Sequence, residues 1–289
     1  MMYMMATMHG RHGGLLPNQW TWPTAALFAT AVCAFGSLVS ILGSFGPQVD
    51  FAISSIHFAV GSPFVFIMVA ALVPAIVCFV LCASARESLR KVNAPWSVYL
   101  VAIGLGFTLP FMSYFGSHYA SFPWSYTSRT TLARVFIMNL FLSPLWEEII
   151  WRGCFLGKLR SFVSGPNAIA ISSVAWTFWH GGYLAFLYSR GIPIRVLLVL
   201  PFTYFCVGII LGSMFEMGGR SLWPCVLMHA ALNASTAVYY TTYDRASELS
   251  SYVAELFAVI VVAGLLYRFT TKTKPAGRVP DADVSTAWP

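Results

Sequence analysis

Long apolar runs alternate with short polar segments along most of the chain. A helix needs roughly 20 mostly apolar residues to span the hydrocarbon core of a bilayer. Runs of about this length predict eight membrane-spanning helices, at about residues 23–45, 64–84, 97–115, 135–156, 167–188, 196–217, 221–240 and 252–269. The fifth and seventh runs contain polar residues in their interiors. The pattern therefore predicts an all-α fold, a polytopic transmembrane helical bundle with about eight spans.

Composition supports the same class of protein. Hydrophobic residues make up 58% of the 289 positions and charged residues only 9%. A soluble domain carries about a quarter charged residues, so these few charges could not cover a water-exposed surface of ordinary size. We therefore interpret residues 23–269 as one transmembrane domain in contact with the lipid bilayer. Residues 1–22 and 270–289 are expected to be flexible cytoplasmic segments.

The distribution of positive charge predicts the orientation in the membrane. If the amino terminus is inside, eleven of the 17 Lys and Arg residues fall on the inner side and five on the outer side, with Arg152 inside a span. Cytoplasmic loops carry the excess of Lys and Arg, so both termini are expected in the cytoplasm. Anionic lipid at that surface accounts for the net charge of +7. No nucleic-acid partner is needed to explain it.

Ionisable residues inside the spans are few and informative. They are Glu147, Glu148 and Arg152 in the fourth span, His180 in the fifth, His229 in the seventh and Glu255 in the eighth. A charge at the bilayer centre costs about 2.5–3.5 kcal/mol on insertion scales, so the three charges of the fourth span would cost about 8 kcal/mol if unpaired. Pairing or water must offset this cost, and both imply a cavity inside the bundle.

Helical spacing separates the roles of the charges in the fourth span. Glu148 and Arg152 are four residues apart, lie on one face and can pair. Glu147 points about 100° away from Glu148 and has no evident local partner. This carboxylate is the candidate general base. Glu255, near the start of the eighth span, is interpreted as a residue that reaches the membrane interface.

Two histidines and an amide complete a candidate site. His180 follows Trp176 by one helical turn, and His229 shares a helix face with Asn233. A buried histidine in a soluble core is usually structural, but polar residues inside membranes are expensive and usually functional. Together with Glu147, these groups could surround one water molecule, activate it and stabilise an oxyanion.

Three ordered motifs carry a family resemblance. Glu147-Glu148-x-x-x-Arg152, Trp176-x-x-x-His180 and His229-x-x-x-Asn233 stand on separate predicted helices. Their order resembles the CPBP family, intramembrane endopeptidases related to the CAAX-processing (Ras-converting) enzyme and to bacteriocin-immunity proteins. The resemblance covers about residues 135–240. The family usually has Phe where this chain has Trp176, which we expect to alter the shape of the pocket without removing the chemistry.

The resemblance implies a role for each motif residue. Glu147 and His180 would activate water, and His229 and Asn233 would hold the oxyanion or the water. Water would then attack a peptide carbonyl directly, with no acyl-enzyme. The implied substrate is a membrane-anchored or lipidated protein, of which a prenylated CAAX protein is the best-known example in the family. The supporting residues would be Glu148, Arg152 and Trp176.

Cysteines and possible metal ligands give a weaker signal. The six cysteines lie in apolar runs without zinc-type pairing and are interpreted as small core residues, not as disulfides. Zinc remains possible, with Glu147, His180 and His229 as candidate ligands. The spacing lacks the His-Glu-x-x-His arrangement, so a metal-free, glutamate-type mechanism without a cofactor is favoured.

Two other functions are compatible with the same residues. The chain could be a non-catalytic immunity or scaffold protein of the same fold, although all motif positions are chemically intact. It could also be a proton-coupled transporter that uses Glu147 and the histidines as a relay. No internal repeat is visible in the sequence, which argues against a transporter.

Overall fold

A computed structural model of the protein describes residues 20–44, 51–53, 56–58, 62–117, 129–242 and 249–272. The fold is helical, which confirms the predicted all-α class. Its helices are α1 (Trp22–Ser44), α2 (Ser62–Leu81), α3 (Ala83–Arg90), α4 (Trp96–Ser117), α5 (Arg129–Leu142), α6 (Pro144–Glu148), a π-helix (Ile149–Leu156), α7 (Gly157–Leu159), α8 (Gly165–Trp179), α9 (Gly181–Ser189), α10 (Ile194–Leu197), α11 (Leu200–Met217), α12 (Trp223–Thr242) and α13 (Leu249–Lys272). A short antiparallel pair, β1 (Phe51–Ile53) and β2 (Ile56–Phe58), places Phe51 opposite Phe58. Most of the two predicted flexible segments, residues 1–19 and 273–289, lies outside the described residues.

Helix fills most of each predicted span, but several spans are interrupted. Among the described residues, three segments are long and apolar enough to cross a membrane: Trp22–Val39, Ile194–Met217 and Tyr252–Thr271. The bent pair α2 and α3 would make a fourth. The polytopic architecture is therefore confirmed, whereas the number of about eight spans is not. The predicted fourth and fifth spans are broken where α5 gives way to α6 and where α8 gives way to α9.

The α2–α3 pair bends by 98° at Cys82. Arg86 stabilises the bend because its guanidinium donates hydrogen bonds to the carbonyl oxygens of Phe79, at 2.9 Å, and Val80, which have no partner within α2. The structure also joins Cys82 to Cys154 in a disulfide, with Cα atoms 5.8 Å apart. The expectation that all six cysteines are unpaired was therefore wrong for these two. They are 72 residues apart, and only the bend brings them together.

Helix α3 packs between the π-helix and the start of α12. Ala85 packs so closely on Gly153 that a Cβ atom at Gly153 would lie 3.1 Å from the Ala85 Cα. On the other side of α3, the Leu222 amide donates to the Ser88 carbonyl at 3.2 Å, and the Trp223 indole donates to a carbonyl of α3 at 2.9 Å. These contacts fix the relative position of two segments that carry motif residues.

Small residues allow the helices of the core to approach closely. A Cβ atom added to Gly208 on α11 would lie 2.8 Å from Ser173 on α8. One added to Gly106 on α4 would lie 2.5 Å from the Met228 carbonyl oxygen on α12. Small residues at helix contacts are typical of membrane bundles. Large apolar side chains cover the outer surface, among them Leu27, Phe202, Phe257 and Leu265. A surface of this kind suits lipid, and the protein is an integral membrane protein.

Candidate active site

The first motif lies where the backbone changes from one helix type to another. Helix α5 ends at Leu142, and α6 begins with Pro144 at its first position, where proline lacks only an amide that would be unbonded in any case. Glu147 and Glu148 end α6, and the π-helix that follows carries Arg152. Every residue of this π-helix is buried. π-Helical segments occur often at functional sites, and this one widens the turn that follows the two glutamates.

Glu147 is buried, with 4% of its surface exposed. Its Oε1 accepts a hydrogen bond from the Ser143 hydroxyl, and its Oε2 accepts one from the Trp176 indole N–H at 2.9 Å. The expectation that Glu147 has no local partner was therefore wrong, because Ser143 lies one turn earlier. An ionised carboxylate can accept about four hydrogen bonds. Two acceptor positions thus remain for water or substrate.

Glu148 connects two motifs. The predicted ion pair with Arg152 is present, with Nη1 at 3.1 Å from the Glu148 Oε1. The same oxygen lies 2.9 Å from the His229 Nδ1, and Arg152 also donates to the Gly208 carbonyl at 3.3 Å. Within the described part of the chain, the buried Oε2 of Glu148 has no hydrogen-bond partner. Glu148 therefore orients His229 as well as neutralising Arg152.

His180 occupies the junction between α8 and α9. Its Nδ1 lies 2.8 Å from the Trp176 carbonyl oxygen. A carbonyl oxygen only accepts hydrogen bonds, so Nδ1 carries a hydrogen and Nε2 is the nitrogen left for chemistry. The Glu147 carboxylate interacts electrostatically with both His180 and His229. The two histidines and the candidate base thus belong to one site.

Trp176 holds this site together. Besides its bonds to Glu147 and His180, its ring lies under the Arg152 guanidinium, 5.0 Å from the guanidinium carbon. Its ring centroid is 4.4 Å from that of His180 and 5.6 Å from that of His229. Phe could not donate the hydrogen bond to Glu147, so the difference from the family pattern adds a contact to the candidate base.

The structure brings most of the sequence-derived site together. The residues joined by direct contacts are Glu147, Glu148, Arg152, Trp176, His180 and His229. Asn233 lies one turn after His229 on α12 and is half-buried. Its side chain makes no hydrogen bond to another residue in the described ranges. The grouping of Asn233 with the other motif residues therefore stays a prediction.

Two residues at this site were missed by the sequence reasoning. Ser143 was recognisable in principle, because a Ser-Pro pair is a common start for a helix and places the hydroxyl one turn before Glu147. Tyr204 gave no such signal. Its ring stacks on His180 with centroids 4.3 Å apart, but it lies on α11, far from any motif in the sequence.

The candidate zinc ligands predicted from the sequence are Glu147, His180 and His229. Among the residues that the structure describes, no three His, Cys, Asp or Glu side chains are grouped as a metal site. Each oxygen of Glu147 accepts one hydrogen bond from another side chain, and Nδ1 of each histidine faces an oxygen atom, which leaves Nε2 of both for other contacts. A structural or catalytic zinc needs at least three converging protein ligands. A chelator tests the metal-free prediction directly.

Comparison with known proteins agrees with the motifs. Residues 129–235 match the family model described as type II CAAX prenyl endopeptidase Rce1-like. No curated protein matches the chain. The matched segment begins with α5, ends within α12 and contains all three motifs. Residues 129–235 therefore resemble an Rce1-like domain, in agreement with the resemblance to the CAAX-processing peptidases that the motifs carry.

Proposed function

We propose that the chain is an intramembrane endopeptidase that cleaves a membrane-anchored, prenylated CAAX-type protein with water activated by Glu147 and His180. The observation that carries this proposal is the double attachment of Trp176, whose indole N–H binds Glu147 and whose carbonyl binds His180. One residue thereby sets the positions of both groups. The match of residues 129–235 to the Rce1-like family supports the same activity.

Glu147 is suited to remove a proton from water. Its two bound donors, Ser143 and Trp176, hold the carboxylate in place while leaving acceptor positions unused. The water oxygen attacks the peptide carbonyl carbon as its proton passes to the Glu147 carboxylate. His180 Nε2 accepts a hydrogen bond from the second hydrogen of the water and orients it. The product of this step is a tetrahedral oxyanion, with no covalent bond to the protein.

His229 and Asn233 are suited to stabilise the oxyanion. Because Nδ1 of His229 faces Glu148, Nε2 is the nitrogen available to donate to the oxyanion. When the C–N bond breaks, the proton held by Glu147 passes to the leaving amine. The carboxylate is then regenerated for another cycle.

The proposal includes an orientation of the protein in the membrane. A single transmembrane domain at residues 23–269 with both termini in the cytoplasm would expose the site to substrates anchored in the cytoplasmic leaflet. Reporter fusions at the two ends of the chain test this orientation. Cytoplasmic activity of both reporters is the expected result, and an extracytoplasmic signal from either would contradict it.

Cleavage of a quenched, farnesylated CAAX-type peptide by the purified protein in detergent tests the proposed function. Glu147→Gln should reduce cleavage to a residual rate far below that of the wild type. Glu87→Gln makes the same change at a glutamate whose side chain is 67% exposed and should leave cleavage unchanged. A peptide without the farnesyl group tests the lipid requirement, and a chelator tests for a metal. Cleavage by Glu147→Gln at a rate near that of the wild type would contradict the assignment of the base, and a folded wild-type protein that cleaves no prenylated peptide would contradict the substrate.

A further inference from the structure

Tyr204 belongs to the aromatic surroundings of His180, although no motif contains it. The two rings are stacked, with centroids 4.3 Å apart and planes inclined by 28°. Trp176 contacts the same imidazole at 4.4 Å with an inclination of 76°, and the Trp176 and Tyr204 centroids are 6.2 Å apart. Two aromatic rings, one from α8 and one from α11, therefore lie against the imidazole.

His180 needs such support because its imidazole is held at one nitrogen only in the described part of the chain. It lies between two helices: its amide bonds to the Thr177 carbonyl at 3.1 Å, and its carbonyl accepts from the Leu184 amide at 2.9 Å. The second side-chain torsion of histidine has a broad preference. The bond from Nδ1 to the Trp176 carbonyl fixes one atom of the ring but allows the ring to swing about that atom. A flat group against the face of the ring removes this freedom.

We propose that Tyr204 is a positioning residue, whose stacked ring holds the His180 imidazole so that Nε2 is presented to water and substrate. The inference rests on the proposed function, because it assigns Tyr204 to the same reaction. Tyr204 acts through His180 and is not itself required to touch the substrate. The aromatic ring, and not the hydroxyl, is the part that matters.

Tyr204 is itself held by its neighbours. It packs against a buried apolar cluster that includes Leu200 and Tyr252. Its hydroxyl end interacts electrostatically with Glu147 and Glu255. Glu255, interpreted from sequence as interfacial, therefore lies near the site. A ring packed against this apolar cluster is a rigid support for the imidazole.

Three variants separate stacking from other effects. Tyr204→Phe keeps the ring and removes the hydroxyl, whereas Tyr204→Leu keeps an apolar side chain and removes the flat face. Phe202→Leu is the matched control on the same helix, at a side chain that is 64% exposed. For the farnesylated peptide, Tyr204→Leu should lower kcat by about tenfold or more, because small misplacements of a catalytic group are costly. KM in that variant, and both constants in Tyr204→Phe and Phe202→Leu, should stay within about twofold of wild type.

NMR of the full-length protein in detergent, labelled at histidine, provides a readout that needs no cleavage. The ring signals of His180 are assigned with His180→Gln. They should move in Tyr204→Leu and keep their wild-type environment in Phe202→Leu, with Tyr204→Phe close to wild type. Unchanged His180 signals in Tyr204→Leu would overturn the inference, as would a loss of kcat in Tyr204→Phe equal to that in Tyr204→Leu. Absence of cleavage by the wild-type protein would count against the proposed function, while the NMR signals would still decide the positioning role.

Discussion

Replacing Arg152 with methionine removes the cation from a fully buried ion pair. Arg152 and Glu148 are 1% and 0% exposed, and their N···O distance is 3.1 Å. The substitution also removes the donor to the Gly208 carbonyl and the cation over the Trp176 ring. Loss of one partner from a buried pair destabilises a protein by about 3–5 kcal/mol, because the remaining charge stays buried. We expect a loss in this range for Arg152→Met, since one oxygen of Glu148 already has no partner in the described residues.

A second substitution shows whether the remaining charge causes the loss. In the double variant Glu148→Gln/Arg152→Met, the buried carboxylate that has lost its Arg partner is also removed, and the Gln carbonyl oxygen can still accept a hydrogen bond from His229. Replacement of both partners of a buried pair is often close to neutral. The double variant should therefore recover at least half of the stability that Arg152→Met loses.

The free energy of unfolding can be measured by titrating mixed micelles with a denaturing detergent. Lys91→Met is the matched control, because Lys91 also pairs with a glutamate four residues away, at 2.8 Å, but its side chain is 42% exposed. Exposed pairs contribute about 0–1 kcal/mol. Lys91→Met should therefore lower the free energy of unfolding by no more than about 1 kcal/mol. The reasoning is refuted if Arg152→Met costs no more than Lys91→Met, or if the double variant is as unstable as the sum of its two single variants.

Two further pairs of variants test the packing and hydrogen bonding of the site. Trp176→Phe removes a hydrogen bond to Glu147 that contributes about 1.5–3 kcal/mol, so kcat/KM should fall about 10- to 150-fold. Trp151→Phe, at a buried indole N–H without a partner in the described residues, should change the peptide-cleavage rate far less, and equal losses would contradict the role of the bond. Gly208→Ala should lower the free energy of unfolding by about 1–3 kcal/mol, because the new Cβ would lie 2.8 Å from a side chain of α8. Gly264→Ala, with no described atom within 4 Å of its new Cβ, should not destabilise the protein, and a loss as large as that of Gly208→Ala would refute the packing argument.

The sequence was sufficient for features that depend on local spacing. The long apolar runs predicted the helical membrane fold, and the four-residue separation of Glu148 and Arg152 predicted their ion pair. The order of the three motifs predicted the family that residues 129–235 match. In each case, the relevant partners are neighbours on one helix, or their order along the chain is itself the signal.

Contacts between distant segments could not be predicted in the same way. His229 reaches Glu148 across 81 positions and Trp176 reaches Glu147 across 29, and neither distance follows from helical periodicity. The bend at Cys82 had no proline to announce it. It exists because Arg86 satisfies the open carbonyls of α2 and because α3 packs on the π-helix. The breaks within the predicted fourth and fifth spans were not predicted either. They lie next to Glu147 and at His180, where candidate site residues interrupt the regular helix.

The most direct test of the central claim is a double-mutant cycle on Glu147 and His180. Rates of cleavage of the farnesylated peptide are measured for wild type, Glu147→Gln, His180→Asn and the double variant. If both side chains act on one water molecule, the double variant should be no slower than the slower single variant, because groups that work as a unit are not additive. Losses that multiply in the double variant, or a single Glu147→Gln variant that retains activity near wild type, would contradict the account.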